Sequence, residues 1–394
     1  MNIQELLSRK VSEIQSSTPQ FFDLKKEEDV KKVSELFEGK MIVSVSDDYE
    51  EQMKELFQIQ NPTLVYAPGF NEAWETHLRE EKAKAPLHQY GVWVYFPWNG
   101  SLIHILEDAA FQEVRTARNK NLINKEEQEK FYNSTVGIAG LSVGNSVLLA
   151  IVLQGGAGRI KMADNDVLAL SNTNRVRTSI ENLGIRKTDA TARQIYSINP
   201  YAKIEIFEDG LTNENIDRFF NGLDIVLDEV DNIAMKYRMR EYAKKLKLPL
   251  LMATDNGDNG VVDIERYDLD SETPFFHGRA GEVTYEELTK LDKFGIGKMA
   301  TRIVGAENVT ERMQESLMEM GKTIVSWPQL GGAAILNGPA VAYCVRKILN
   351  GQPLENNRAL ISLDALFIPE YNSPEQKEKR AQIAEGFKKM FGLG

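Results

Sequence analysis

The first forty residues alternate short apolar and charged stretches, IQELLSRKVSEIQ and EEDVKKVSELFEG, with apolar positions recurring every three or four residues. That period is helical, so two helices are predicted there. Three later runs, MIVSVSDD (41–48), PTLVYAPGF (62–70) and YGVWVYFPWNGSLIHIL (90–106), are rich in β-branched and aromatic residues and predict strands. Asn99-Gly100 supplies a hairpin turn inside the third. Together they predict a small α/β domain over residues 1–108, without a chemical motif of its own.

From Thr135 the pattern changes to buried strand, small-residue turn and apolar helix: TVGIAG, then LSVGNSVLLAIVLQGGAG, then RIKMADND. This is how a doubly wound nucleotide-binding sheet begins. The runs KIEIFED (203–209), DIVLDEVD (224–231), PLLMATD (249–255) and VVDIERYD (261–268) predict further strands, with helices over Lys187–Ile198, Glu214–Phe220 and Ile233–Lys247 between them. Residues 273–322 are polar and less regular and read as an insertion, with a helical pattern in EVTYEELTKLDKF. An apolar helix (331–351), a strand-like RALISLDALF (358–367) and a charged helical tail (371–394) complete the chain. The fold class expected is α/β: a doubly wound, mostly parallel Rossmann-like sheet over residues 109–370, with the smaller α/β domain before it.

Composition narrows the chemistry. No apolar run of about 18 residues is present to span a bilayer, and the N-terminus lacks the apolar core and cleavage site of a secretory signal, so the expected location is the cytoplasm. The single cysteine, Cys344, excludes intrachain disulfides and a cysteine-built zinc site, and four scattered histidines offer no metal cage. A metal would be held by oxygen. The net charge of −11 argues against binding nucleic acid through overall electrostatics.

Three segments carry candidate chemistry. The turn Gly140-Leu-Ser142-Val-Gly144-Asn lies between a strand and a helix, where backbone N–H groups can meet an anion; a tight structural turn is the competing reading. Asp164, at the end of the next strand, occupies the usual place of a ribose ligand, with Asp166 as an alternative ligand or a helix cap. Dehydrogenases and adenylating enzymes share that feature. The third comprises Ser171-Asn-Thr-Asn-Arg175, Leu183-Gly-Ile-Arg-Lys187 and Ile198-Asn-Pro200.

Taken in order, these motifs from Arg115 to Asp268 resemble the ThiF/MoeB family of ubiquitin-activating-enzyme-like proteins. Its members carry a Gly-rich turn, Asp-x-Asp, Ser-Asn-x-x-Arg, Gly-x-x-Lys and Asn-Pro in this sequence. The resemblance implies ATP- and Mg²⁺-dependent adenylation of a carboxylate on a peptide, a small protein or a small acid. By similarity, Asn172 and Arg175 contact phosphates, Lys187 meets the triphosphate and transition state, and Asp231 of Asp231-Asn232 holds Mg²⁺. The nearby Asp228 and Glu229 read as a second metal ligand or as caps. Arg115-Thr-Ala-Arg118-Asn resembles the Arg-Tyr-x-Arg-Gln signature whose second arginine reaches a partner's ATP, so Arg118 is the candidate trans arginine of a homodimer, with Arg115 its rival.

The chain also departs from that family. Ser142, Val143 and Asn145 stand where it has glycines, and the nucleophilic cysteine and paired Cys-x-x-Cys are absent. The chemistry is then expected to stop at an acyl-adenylate or to pass to an external nucleophile, as in cysteine-independent branches that modify peptides or transfer RNA. His277, Arg279 and Arg302, in or near the insertion, are candidates for recognising the substrate. Two other readings compete: an NAD- or FAD-dependent oxidoreductase, and an inactive nucleotide-binding or dimerisation module.

Overall fold

The computed structural model describes Ile3 and residues 16–393, so the helix expected from MNIQELLSRKVSEIQ lies, apart from Ile3, outside the described residues. The chain forms two compact units, residues 1–124 with 192–201 and residues 125–191 with 202–394. Among the described residues no helix is long and apolar enough to cross a membrane.

In the first unit, β1 (Gln20–Phe22), β2 (Ser44–Asp47), β3 (Val92–Phe96) and β4 (Ser101–Ile105) pair in the order β1-β3-β4-β2. The β3–β4 hairpin turns through Asn99-Gly100 as expected, and only β2 and β4 run parallel. Two aromatic clusters fill this unit, one around Phe22, Trp93 and Tyr95 and the other around Tyr49 and Trp74. His104 is fully buried between the rings of Tyr49 and Trp93, and its two nitrogens meet Asp47 Oδ1 and the Tyr90 carbonyl, both at 2.8 Å. Both ring nitrogens are therefore committed to holding the sheet.

One predicted strand is absent. PTLVYAPGF forms a short helix, Pro62–Val65, and the start of a longer one, Phe70–Lys84. Pro62 follows the end of the helix Tyr49–Gln60, where its fixed φ suits a new helical turn, and Gly69 (φ 94°) resets the chain. Tyr66 is left 93% exposed, and the β-forming residues of this run join neither sheet.

The second unit holds a seven-stranded sheet: β5 (Thr135–Ala139), β6 (Arg159–Ala163), β7 (Lys203–Phe207), β8 (Ile225–Asp228), β9 (Pro249–Asn256), β10 (Asn259–Arg266) and β11 (Arg358–Ile361). Their order is β11-β10-β9-β8-β5-β6-β7. Strands β5 to β9 are parallel, while β10 and β11 each pair antiparallel. Every residue of β5 and β8 is buried, as expected of central strands covered on both faces. The run 358–367 leaves the sheet at Ile361, because Ser362 Oγ accepts from Ala365 N (3.1 Å) and starts the helix Leu363–Phe367. Between 273 and 322 lie the helices Tyr285–Thr289, Lys293–Val304 and Glu311–Glu319, the first two capped by Thr284 and Asp292. The chain winds from β5 through β6 to β7 on one side, then returns to place β8 on the other side of β5. A crevice opens at that reversal, beyond the carboxyl ends of the strands.

Candidate active site

Gly140 leaves β5 with φ 89°, and a Cβ there would lie 2.1 Å from the Glu229 carbonyl oxygen. Only glycine fits this position, which lets the turn cross directly over the end of β8. Ser142 then precedes the helix Val143–Leu153 without making a side-chain cap, so the orphan N–H groups of its first turn receive no help from that residue. Gly144 has a different task. A Cβ on it would lie 2.8 Å from Ile138 Cδ1, so its smallness lets the helix pack on β5.

Asp164 ties the end of β6 to this turn: Oδ2 accepts from Leu141 N (2.7 Å) and Oδ1 from Asp166 N (2.8 Å). Burial pushes its carboxyl above the usual range, although Lys187 and the two N–H donors oppose the shift. Lys187 begins the helix Lys187–Ile198 and is only 6% exposed; its Nζ lies 2.7 Å from Asp166 Oδ2 and 3.9 Å from Asp164 Oδ2. A nearly buried ammonium is retained here because two carboxylates face it.

These side chains converge on one cavity of about 290 Å³, lined by Gly140, Ser142, Asp164, Asp166, Lys187, Asp231 and Asn232. Asn232 also caps the helix Ile233–Leu246, its Oδ1 accepting from Met235 N (3.0 Å), and so fixes the loop that presents the exposed Asp231. Among the described residues no three carboxylate, imidazole or thiol side chains gather to hold a metal by themselves. One carboxylate suits a cation that brings its own waters and phosphate ligands.

Arg175 is joined to the cavity through Ser142. Its Nε donates to Ser142 Oγ (2.9 Å), and Nη1 donates to Ser171 O (3.2 Å) and Asn174 Oδ1 (3.0 Å). Asn172 is outside the lining; its Oδ1 accepts from Ala169 N (3.0 Å) and shapes the turn before the arginine. Arg118 lies in the first unit, exposed on the short 3₁₀ turn Ala117–Asn119, and Arg115 in the same unit donates to Gln112 Oε1 from Nε and Nη2.

Several other candidates are committed elsewhere. Asp228 is fully buried with Arg240 at 2.6 Å and Lys236 at 3.1 Å, while Glu229 lines the cavity and accepts from Ala253 N (3.0 Å). Asp228 is thus the anion of a buried ion network. His277 meets the Ile264 carbonyl through Nε2 (2.8 Å), and Arg279 donates to Asn357 Oδ1 (2.6 Å) beside Asp263. Cys344 is buried in the helix Gly331–Leu349, where burial pushes its thiol up to about 11. Sequence reasoning missed Asp209, Gly210 and Leu211, which bring the loop after β7 to the cavity. The signal existed in KIEIFEDG, because strand ends of an open α/β sheet are where ligand groups gather.

Comparison with known proteins decides the family. Residues 116–318 match the ThiF family. The chain belongs to the ThiF family. The chain is 32% identical over 327 residues to an uncharacterized protein of Mycobacterium tuberculosis, covering 82% of this chain and 46% of that protein. It therefore spans about half the length of that relative. It is 28% identical over 207 residues to the tRNA threonylcarbamoyladenosine dehydratase of Bacillus subtilis, covering 52% of this chain and 80% of the relative. The sulfur carrier protein adenylyltransferase of Thermus thermophilus is 25% identical over 160 residues, 40% of this ThiF chain and 57% of the relative.

Proposed function

We propose that this ThiF-family chain binds ATP in the cavity beside Gly140 and transfers its adenylyl group to a carboxylate. In that reaction a carboxylate oxygen attacks the α-phosphorus, the bond from that phosphorus to the bridging oxygen of the β-phosphate breaks, and pyrophosphate leaves with the electron pair. Two anions meet in such a step, so fixed positive charge is what the site must supply.

One observation carries the reading: a nearly buried lysine, a Gly140 turn and an exposed Asp231 share a single cavity at the point where the sheet reverses. Asp164 and Asp166 would take the ribose. Lys187 would exchange Asp166 for phosphate oxygens, and Arg175 would reach the phosphates from its seat on Ser142. Asp231 would hold Mg²⁺, which supplies charge neutralisation on the phosphates when bound. A second copy would bring Arg118 to the phosphates. Light scattering at micromolar concentration tests that last point, since a monomer would remove it.

Cys344 offers no thiolate at neutral pH, so the acyl group would remain as an adenylate or pass to an external nucleophile. The test is isotope exchange between pyrophosphate and ATP, screened with peptides, small acids and transfer RNA. Exchange with one class identifies the substrate class; no exchange with any, and no ATP binding, defeats the proposal.

A further inference from the structure

Near the end of β9 lies a buried carboxylate, Asp255, that is not among the residues lining the cavity. Asp255 is 3% exposed. Its Oδ1 accepts from Asn337 Nδ2 (2.8 Å), inside the helix Gly331–Leu349, and its Oδ2 accepts from Gln329 Nε2 (3.3 Å). The main-chain oxygen of Gln329 in turn accepts from Asn174 Nδ2 (2.8 Å), and Asn174 Oδ1 accepts from Arg175 Nη1 (3.0 Å). A continuous path therefore runs from Asp255 through Gln329 and Asn174 to Arg175, and from Arg175 Nε to Ser142 in the cavity wall. The backbone approach is close as well, because a Cβ on Gly331 would lie 2.2 Å from the Asn174 carbonyl oxygen.

Charge acts alongside this path. Burial raises the Asp255 carboxyl, and the Arg175 guanidinium is near enough to oppose that shift together with the two amide donors. A carboxylate removed from water is costly unless donors and a countercharge meet it. A neutral side chain could hold Asn337 and Gln329 without that cost. The two amide donors supply most of what offsets that cost, and the Arg175 guanidinium adds a smaller contribution of the same sign.

We propose that Asp255 is a positioning residue for Arg175: through Gln329 and Asn174 it fixes the segment Ser171–Arg175 so that the guanidinium is presented at the Ser142 wall of the cavity before a nucleotide arrives. This rests on the reading of the cavity as an ATP site. A bound triphosphate then meets a guanidinium whose orientation has already been set, and less ordering is required on binding.

A double-mutant cycle on Mg·ATP affinity tests the inference, with thermal midpoints recorded for every variant. Asp255→Asn is expected to weaken Mg·ATP binding about tenfold in the otherwise native chain and to cause no further loss on top of Arg175→Ala, because the two residues act as a unit. If binding by Arg175→Ala falls beyond measurement, Arg175→Lys serves as the second background, in which the loss caused by Asp255→Asn should be smaller than in the native chain though not abolished. Gln329→Met, on a half-buried loop, provides the same cycle if Asp255→Asn does not fold. Equal losses in both Arg175 backgrounds, or no loss in either, would overturn the positioning role while leaving the ATP site intact. Failure of the native chain to bind Mg·ATP would overturn both.

Discussion

Lys187 Nζ lies 2.7 Å from Asp166 Oδ2 and 3.9 Å from Asp164 Oδ2, so one ammonium faces two carboxylates at the mouth of the sheet's central crevice. Asp166 is largely exposed and Asp164 is not, so under the proposed function the lysine would trade its outer partner for a phosphate while keeping the inner one. Lys187→Met should lower pyrophosphate exchange by about 10²–10³-fold, the usual loss when one stabilising group is removed from a charge-developing site. Lys187→Arg should lose less. Initial exchange rates check this, and a Lys187→Met rate within twofold of native would contradict it.

The exposed Asp231 predicts a different signature. Asp231→Asn should raise the Mg²⁺ concentration needed for half-maximal exchange by about tenfold, since a carboxylate is a far better ligand for this hard cation than an amide. A magnesium titration of the exchange rate measures it. An unchanged midpoint would remove Asp231 from the metal's coordination.

Asp228 tests the frame around the site. Burial would raise its carboxyl, but Lys236 and Arg240 overcome that and hold it below the usual range. The unfolded carboxyl takes up its proton at a higher pH than the folded one, so the stabilisation is present above the ordinary carboxylate range and is lost as pH falls below it. Asp228→Asn leaves Arg240 with Glu265 at 2.8 Å as its remaining anion and should cost about 3 kcal/mol. Urea unfolding at neutral pH gives the cost, and repeating it in acid should show the difference from native shrinking.

Cys344 predicts silence. With the thiol buried and pushed up to about 11, iodoacetamide at pH 8 should leave the native chain unlabelled and should label it fully in denaturant. Cys344→Ala should retain native exchange. Fast labelling of the folded chain, with loss of exchange, would restore the thiol as a nucleophile.

Much of this arrangement was legible in the sequence because its determinants are local. The Gly140 turn, Asp164 at a strand end and Lys187 at a helix start each follow a buried strand or precede a helix whose period is clear. Other parts depend on distant partners. Asp228 and Glu229 look alike in LDEVD, yet one is sealed in by Arg240 from a helix and the other reaches across to Ala253 on β9. Asp255 gave no sign of its link to Arg175, because the intermediate Gln329 lies 74 residues away. His277 and Arg279 looked available in a polar insertion, but the carbonyl of Ile264 and the side chain of Asn357 engage them. The strand expected at 62–70 failed for a related reason: β-forming residues make a strand only where an edge awaits them.

The measurement that bears most directly on the whole account is a crystal structure of the chain soaked with ATP and Mg²⁺. The account predicts the triphosphate against the Gly140 turn, with Lys187 and Arg175 on its oxygens and Asp231 on the metal. A triphosphate bound elsewhere, or those three side chains turned away from it, would contradict the assignment.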